Sequence, residues 1–423
     1  MSHTQNHTVI IGAGIIGVST AYYLSQHQDP STIHIVEASQ ELFSSASGYA
    51  GGFLAKDWFA PSLQELGALS FNEHRRLAEE NGGRDKWGYC PATCMSYAAS
   101  ATLAHKDKRG DDWLRDGTSR SNAAPVVLDH SQQNKAPSWL RRREGDRLEL
   151  SSDDGTTAQV DPLRLCQFLL GESLKKGVLL HQPAKPAAVC LDGKGELSGV
   201  RVVKAISVGE RAEVVVPCDR LVITAGVWTA KAFETLFPTA KVKIPIQSLA
   251  GHSLVLKSPL WHRDVEENGC HAVFTTHDSQ AFCPEMFSRL GGHIYFAGLN
   301  SSTIPVPDAE TGKAKADADA LASLRIAAGD ILGGSSGCRD DDLIVVREGL
   351  CFRPVTVWGT PIISRIQDSS IRTRNGGGIF VASGHGPWGI SQSLGTGLVL
   401  SEMLTGRETS ADVSGLGIQS HHE

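Results

Sequence analysis

The chemistry nearest the start of the chain is carried by glycines. Gly12-Ala13-Gly14-Ile15-Ile16-Gly17 is followed, 20 positions after its last glycine, by the acidic Glu37. This is the spacing of a loop that holds a dinucleotide. Gly12 permits a tight turn, Gly14 lets the backbone approach a pyrophosphate, and Gly17 lets a helix pack closely on a strand. The pyrophosphate would rest on the helix start at Ile15 and Ile16, where amides and the helix dipole favour negative charge. Glu37 would accept hydrogen bonds from ribose hydroxyls, which argues against a 2′-phosphate there. Glycine hexapeptides also occur by chance, and a ligand-free turn of this kind has the same spacing. Nor does the motif separate NAD from FAD.

The surrounding elements give the motif its frame. Thr8 to Ile11 is a β-branched run, an amphipathic stretch continues through Leu24, and Ile33-His34-Ile35-Val36 is a second strand ending at Glu37. Together they make a βαβ unit of about 30 residues. Beyond it, Ser44-Ser45-Ala46-Ser47-Gly48-Tyr49-Ala50-Gly51-Gly52 suits backbone approach along an extended dinucleotide, and equally suits any flexible loop. Leu163 to Leu174 reads as a helix with Pro162 in its first turn. His105 to Glu149, with Arg141-Arg142-Arg143, is charged and reads as a surface excursion. Val200 to Val216 and Ile244 to Leu256 are β-rich, and Arg220 to Thr224 is a strand meeting the turn Ala225-Gly226. Ala314 to Ala328 is predicted helical. The strand Ile379 to Ala382 enters the turn Ser383-Gly384-His385-Gly386, followed by a helix from about Gly389 to Leu404.

Composition narrows the class. At 423 residues the chain exceeds what one core usually supports, so two unequal domains are expected. A net charge of -6 and a pI near 6.2 give no general attraction to nucleic acid or anionic membranes, so the expected ligand is small. Cys90, Cys94, Cys166, Cys190, Cys218, Cys270, Cys283, Cys338 and Cys351 show no CxxC spacing and no metal-ligand cluster. No apolar run approaches the ~20 residues of a membrane span. Neither the polar amino terminus nor the final His-His-Glu is a targeting signal, and the cytoplasm is the expected compartment.

Five separated blocks, taken in order, resemble the FAD-dependent oxidoreductases of the D-amino-acid oxidase, glycine oxidase and sarcosine oxidase type (the DAO family). They are Val9 to Glu37; Ala46-Ser47-Gly48 to Gly52; Val160-Asp161-Pro162; Leu221 to Gly226 with Val227-Trp228; and Arg353-Pro354 with Gly384 to Gly397. The wording Ser47-Gly48-Tyr49-Ala50-Gly51-Gly52-Phe53-Leu54-Ala55 is similar to a fungal branch of that family. The resemblance implies an α/β fold. Its Rossmann-type FAD-binding domain is assembled from residues 1–90, 150–243 and 346–423. An inserted α+β substrate domain on a mainly antiparallel sheet comprises 91–149 and 244–345.

The resemblance also assigns roles. FAD would lie against Gly12, Gly14, Ile15, Ile16, Gly17, Glu37, Ala46, Ser47, Gly48 and Gly52. Further contacts would come from Ala225, Gly226 and Trp228, a stretch that is otherwise an ordinary core strand and turn. The remainder are Gly384, His385, Gly386, Trp388, Gly389 and Ile390, where the helix start would face the flavin edge that gains negative charge on reduction. Arg353 matches the position that binds a substrate carboxylate, through a fork of two charge-assisted hydrogen bonds. Its other reading is an ion pair with Glu348. Cys351 lies where sarcosine-oxidase-like members attach the flavin covalently, and is otherwise a packing cysteine. The lysine that promotes oxygen reaction in sarcosine oxidases is replaced by Trp388, which puts efficient use of oxygen in doubt. His252, Tyr295 and Lys56 are candidates for the substrate face.

The implied reaction is hydride transfer from a small-molecule donor to flavin, then reoxidation by oxygen or another acceptor, in a monomer or small homo-oligomer. The first expectation for the donor is an amine or amino acid. An alternative is an alcohol or sugar-derived hydroxyl of fungal secondary metabolism, with His252 or His385 as base. A flavin-binding protein with a trafficking or regulatory role is a third reading, and a nicotinamide-dependent dehydrogenase a fourth.

Overall fold

Short β-branched runs with no polar alternation belong in a sheet covered on both faces, and that is where the amino-terminal strands lie. The computed structural model describes residues 6–98, 136–153, 155–207, 210–267, 269–276, 282–332 and 342–418. Its six-stranded sheet runs Ile362–Arg365, Gly378–Ser383, Arg220–Ile223, Thr8–Ile11, Ile33–Val36, Leu179–His181. All neighbours are parallel except the first pair. Every residue of Thr8–Ile11 and Ile33–Val36 is buried.

On one face of this sheet Ile10, Val222, Phe380 and Ala382 share a core with the helices Ile15–Leu24, Pro162–Lys176 and Ser393–Thr405. Val9, Ile11, Leu221 and Ile223 point the other way, towards the antiparallel sheet Ala184–Leu191, Leu197–Ser207, Glu210–Pro217 and the helix Thr229–Leu236. The period of two along each strand divides its residues between the two cores.

The second large sheet has nine strands. Its order is Ile344–Val355, Gln247–Lys257, His293–Ser301, Glu285–Arg289, Cys270–Thr276, Cys90–Ala98, Thr157–Gln159, Phe53–Ala55, with Arg147–Ser152 also paired to Cys90–Ala98. Its pairings are antiparallel except Cys270–Thr276 with Cys90–Ala98. Leu254, Met286 and Phe296 pack with Trp261 and the helix Ala318–Ile331 on one face. The fold is the expected α/β type, with a mixed nucleotide-side sheet beside a mainly antiparallel one.

Several sequence expectations change in detail. The boundary at 345/346 falls inside Ile344–Val355, which pairs throughout with Gln247–Lys257, and Phe53–Ala55 and Thr157–Gln159 extend the nine-stranded sheet. The helix Ile15–Leu24 is not amphipathic: all but Tyr22 is buried, because Ser393–Thr405 and Pro162–Lys176 cover what would be its solvent face. The alanine-rich helix begins at Ala318, because the Asp317 carboxylate accepts from the Ala320 amide at 2.8 Å and caps it there. Of the charged excursion, 105–135 lies outside the described residues. Its end is not all surface: Trp139 and Leu140 are buried in the core beneath Ala318–Ile331. The carboxy-terminal helix proper starts at Ser393 rather than Gly389. A 3-10 turn, Gly386–Trp388, with Pro387 in it, leads in through further turns.

Candidate active site

Between the two large sheets runs a cleft of about 1800 Å³, its open mouth included. At one end stand the glycines. Gly12 has φ +101°, and a Cβ there would fall 2.8 Å from the Thr224 carbonyl oxygen and Ala225 Cα. Gly17 faces back on the same turn, where a Cβ would meet the Gly12 carbonyl oxygen at 2.0 Å. The turn therefore closes only without side chains at these positions. Gly12, Gly14, Ile15 and Ile16 line the cleft, while Gly17 is the packing contact behind its wall.

Glu37 lines the same end. Its two oxygens accept from the amides of Ala13 and Ser39, each at 2.8 Å. Burial raises its pKa, and the amides of Ser39, Ala13 and Ala38 oppose that rise. A carboxylate has about four acceptor positions, so those two bonds leave capacity for ribose hydroxyls. Ser47 supports the helix start by accepting from the Ile15 amide at 2.9 Å. Ser45 lines the cleft, and its hydroxyl oxygen is buried with no hydrogen-bond partner among the described residues. An orphaned hydroxyl beside a helix amino terminus suits a ligand with acceptor oxygens.

The Ser44 to Gly52 run is not a free loop. It contains the helical turn Ala46–Tyr49 and is pinned from the nine-stranded sheet by two arginines. Arg289 donates to the carbonyls of Ala50 at 2.5 Å and Gly51 at 2.7 Å, and burial pushes its pKa down to about 10. Arg347 donates to the Gly48 carbonyl at 3.0 Å and stacks on Tyr49. Ala46, Ser47 and Gly52 line the cleft; Gly48 lies behind it.

A strap crosses from the other side. Residues 302–317 connect His293–Ser301 to the helix Ala318–Ile331, and Asp308, Ala309 and Gly312 line the cleft. The Trp228 indole donates to the Pro307 carbonyl at 2.8 Å. Asp308 pairs with Lys231 at 3.6 Å, and Glu310 with Lys185 and Arg211, both at 3.4 Å. Lys313 pairs with Glu41. At the end of the strap the Asp317 amide donates to His252 Nε2 at 3.1 Å.

The other end of the cleft rests on one face of the nine-stranded sheet. Cys351 and Arg353, from Ile344–Val355, both line it. The Arg353 side chain lies over Gly251 of the neighbouring strand, where a Cβ would fall 2.0 Å from its Nη1. Glycine there lets the guanidinium lie flat and reach Asn300, whose Oδ1 accepts at 2.8 Å. Burial opposes the Arg353 charge, but Cys351, Tyr295 and Glu285 outweigh it, and the pKa is raised. Arg353 is thus a fixed cation. The alternative partner, Glu348, pairs with Arg325 instead. Burial raises the Tyr295 pKa and keeps it a phenol. The ring of Tyr295 stacks on Phe287 at 5.7 Å, and Phe287 on Phe53 at 5.6 Å, giving this end of the cleft an aromatic wall.

Ala225, Gly226, Trp228, His385, Gly386, Gly389 and Ile390 complete the lining, with Gly384 just behind it. Three expectations fail. Trp388 is off the cleft, buried edge-on against Phe59 at 5.0 Å, because the 3-10 turn rotates it into the aromatic cluster with Phe53 and Trp58. His252 is also off the cleft and serves as the acceptor that anchors the strap, while Lys56 does not line it either. His385 does line the cleft, but burial pushes its pKa down to about 3, so it is a neutral imidazole whose Nε2 meets Thr396 Oγ1 at 3.1 Å. Ser45 lies in the run expected to follow the dinucleotide, whereas Gly251, Asn300, Phe287, Glu285 and the strap were not anticipated. Only Glu285 left a trace in the sequence, as an acidic residue entering the otherwise compact run Met286-Phe287-Ser288.

A family model described as FAD dependent oxidoreductase matches residues 7–403, and the chain belongs to that family. It is 28% identical over 436 residues to a Schizosaccharomyces pombe protein, C1F5.03c, whose name goes no further than oxidoreductase; the match covers 98% of this chain and 97% of that one. It is 25% identical over 451 residues to D-amino acid dehydrogenase 2 of Pseudomonas aeruginosa, covering 96% and 97%. Among solved structures, glycine oxidase from Geobacillus kaustophilus superposes with a TM-score of 0.70 at 17% identity, covering 99% of this chain and 100% of that one. The protein is therefore an FAD-dependent oxidoreductase, and the glycine turn, Glu37 and the orphaned Ser45 hydroxyl fit that cofactor.

Proposed function

We propose that the protein oxidises the C–N bond of a small amino acid or carboxylate-bearing amine to an imine, which water then hydrolyses. The observation that carries this reading is Arg353, a cation on the cleft wall held by Asn300 and not engaged by Glu348, which pairs with Arg325. Its planar fork is matched to a carboxylate. A substrate anchored there would lie along the wall of Phe53, Phe287 and Tyr295, which excludes water from the reacting carbon. Bound FAD supplies the hydride acceptor. Gly12, Gly14, Ile15, Ile16, Glu37, Ser45 and Ser47 would hold its dinucleotide portion. Ala225, Gly226, His385, Gly386, Gly389 and Ile390 would hold the portion nearer Arg353.

An amine that reacts in its neutral form needs no dedicated base, whereas an alcohol does. The two histidines that could serve an alcohol are poorly suited: His252 is outside the cleft and His385, at about 3, is too weak a base. The relatives' names, glycine oxidase and D-amino acid dehydrogenase 2, lend further support.

The test is the visible spectrum of the purified protein, followed anaerobically with a panel of amino acids, amines and polyols. Bleaching by an amino acid supports the reading. Bleaching by polyols alone overturns it. Acid precipitation of the same sample reports whether the Cys351 sulfur, on the cleft wall two residues from Arg353, is bonded to flavin: yellow in the pellet means attachment, yellow in the supernatant excludes it.

A further inference from the structure

We propose that His385 acts on the flavin as a neutral hydrogen-bond donor, its Nδ1–H stabilising the negative charge that gathers on the ring upon reduction and so raising the reduction potential. This rests on the placement of the flavin ring at the Arg353 end of the cleft given above, and not on the identity of the substrate. His385 follows Gly384, whose φ is +89° and where a Cβ would fall 2.7 Å from Thr356 Cγ2, so the turn closes only with glycine there. The His385 backbone forms an isolated antiparallel bridge with Val355, two residues along the strand from Arg353. The imidazole is thereby anchored at the same end of the cleft as Arg353. It lines that cleft, and the residue is 4% exposed.

The place of the proton follows from Thr396. That residue is fully buried on the helix Ser393–Thr405, and its hydroxyl has one partner among the described residues, His385 Nε2 at 3.1 Å. A buried hydroxyl hydrogen without an acceptor is costly, so Thr396 donates and Nε2 accepts. A neutral imidazole that accepts at Nε2 carries its proton on Nδ1. Burial alone keeps the ring neutral, pushing its pKa down to about 3. Nδ1 has no protein partner among the described residues and, unlike the sealed Nδ1 atoms of His74 and His252, is open to the cleft. The lining cations are engaged elsewhere: Lys185 and Lys231 pair with Glu310 and Asp308 of the strap, and Arg353 reaches Asn300. A fixed N–H dipole stabilises developing charge without the desolvation cost of a second buried cation beside Arg353.

The experiment measures the midpoint potential of the flavin-loaded protein against reference dyes, without substrate, at about pH 6 and about pH 8, either side of the ordinary imidazole value of ~6.5. H385L is expected to move the balance between reduced and oxidised flavin about tenfold towards the oxidised form, which is about 30 mV for a two-electron couple, and by the same amount at both pH values. H385N, whose amide N–H takes the place of Nδ1–H, should stay near wild type. Wild type labelled with nitrogen-15 histidine, its His385 signals identified by their absence from H385N, should show a proton on Nδ1 and a bare Nε2. An H385L protein that holds flavin at the wild-type potential overturns the inference. So does an equal fall in H385L and H385N, which marks a packing role, and so does a difference confined to the lower pH, which marks a charged ring. Where H385L does not retain flavin, the labelled wild type decides: a proton on Nδ1 supports the assignment and a proton on Nε2 overturns it. Because the potential is read without substrate, bleaching by polyols alone would end the amino-acid reading and leave this inference standing.

Discussion

The two ends of the cleft are built from different material. At the nucleotide end the working parts are backbone: a turn at Gly12, amides at Ala13 and Ile15, and one carboxylate, Glu37, that ties the turn down. At the Arg353 end they are side chains, with Arg353, Tyr295 and Glu285 contributed by three strands and Gly251 of a fourth making room for the arginine. A backbone-built site depends on residues absent at fixed spacing. A side-chain-built site depends on strand order and register, and tolerates any spacing the loops allow.

That contrast is open to direct attack, beginning with the largest effect. Gly17→Val places a side chain against the Gly12 carbonyl, where even Cβ would be 2.0 Å away. It is expected to cost about 3 kcal/mol or more in stability and to yield protein without flavin. Thermal unfolding and the flavin-to-protein absorbance ratio check this, and a yellow variant of normal Tm would show that the turn is more pliable than its geometry implies. Arg353→Ala, at the other end, should leave flavin content and Tm near wild type. It should lower kcat/KM for an amino acid on the order of a hundredfold, as truncating one partner of a buried charged contact does. Loss of flavin in that variant would mean the two ends are not separable.

Acid should discriminate between them next. Burial holds four histidines neutral: His34, His74 and His271 are pushed down to about 4 and His385 to about 3. The unfolded chain takes up these protons below about 6.5, whereas the folded chain resists until its own lower values. Stability is therefore full above 6.5 and declines as pH falls towards 4, each histidine adding up to about 1.4 kcal/mol per pH unit. His34 and His385 lie on or beside the parallel sheet and His74 holds the Ile390 carbonyl, while only His271 belongs to the nine-stranded sheet. Flavin fluorescence should thus appear at or before the loss of circular dichroism on acidification; the reverse order would contradict this. The smallest effect belongs to the strap. Lys313→Glu breaks an exposed pair with Glu41, and exposed pairs contribute about 0–1 kcal/mol. FAD should bind a few-fold more weakly, and the double reversal with Glu41→Lys should restore it at low salt.

The same contrast explains what could be read from the residues alone. The amino-terminal βαβ unit, the helix after Pro162 and the turn at Ala225-Gly226 are encoded by neighbours in sequence, and each lies where its local pattern places it. Arg353 was reached through resemblance. Its supports, Gly251 and Asn300, were not, because glycine in a strand and asparagine near a strand end are unremarked until the register sets them beside a guanidinium. His252 misled for the same reason: its strand alternates, and one residue's difference in facing separates the cleft from the strap anchor. Trp388, assigned by its place after the Gly384-His385-Gly386 turn, stands off the cleft because the 3-10 turn Gly386–Trp388 winds tightly and redirects its side chain.

The strap bears on how the protein is made. The glycine turn leaves the ribosome before the rest of its cleft, which is bounded by Trp228, by residues 308–312 and by His385 to Ile390. Because synthesis runs from the amino terminus, a nascent chain displays its nucleotide motif long before it can enclose a nucleotide. A complete cofactor cleft would therefore exist only after His385 to Ile390 has been made and the two sheets have docked. Flavin bound across that seam would act as a clasp between the glycine turn and the His385 to Ile390 segment made long after it, stabilising the folded chain in proportion to the free cofactor.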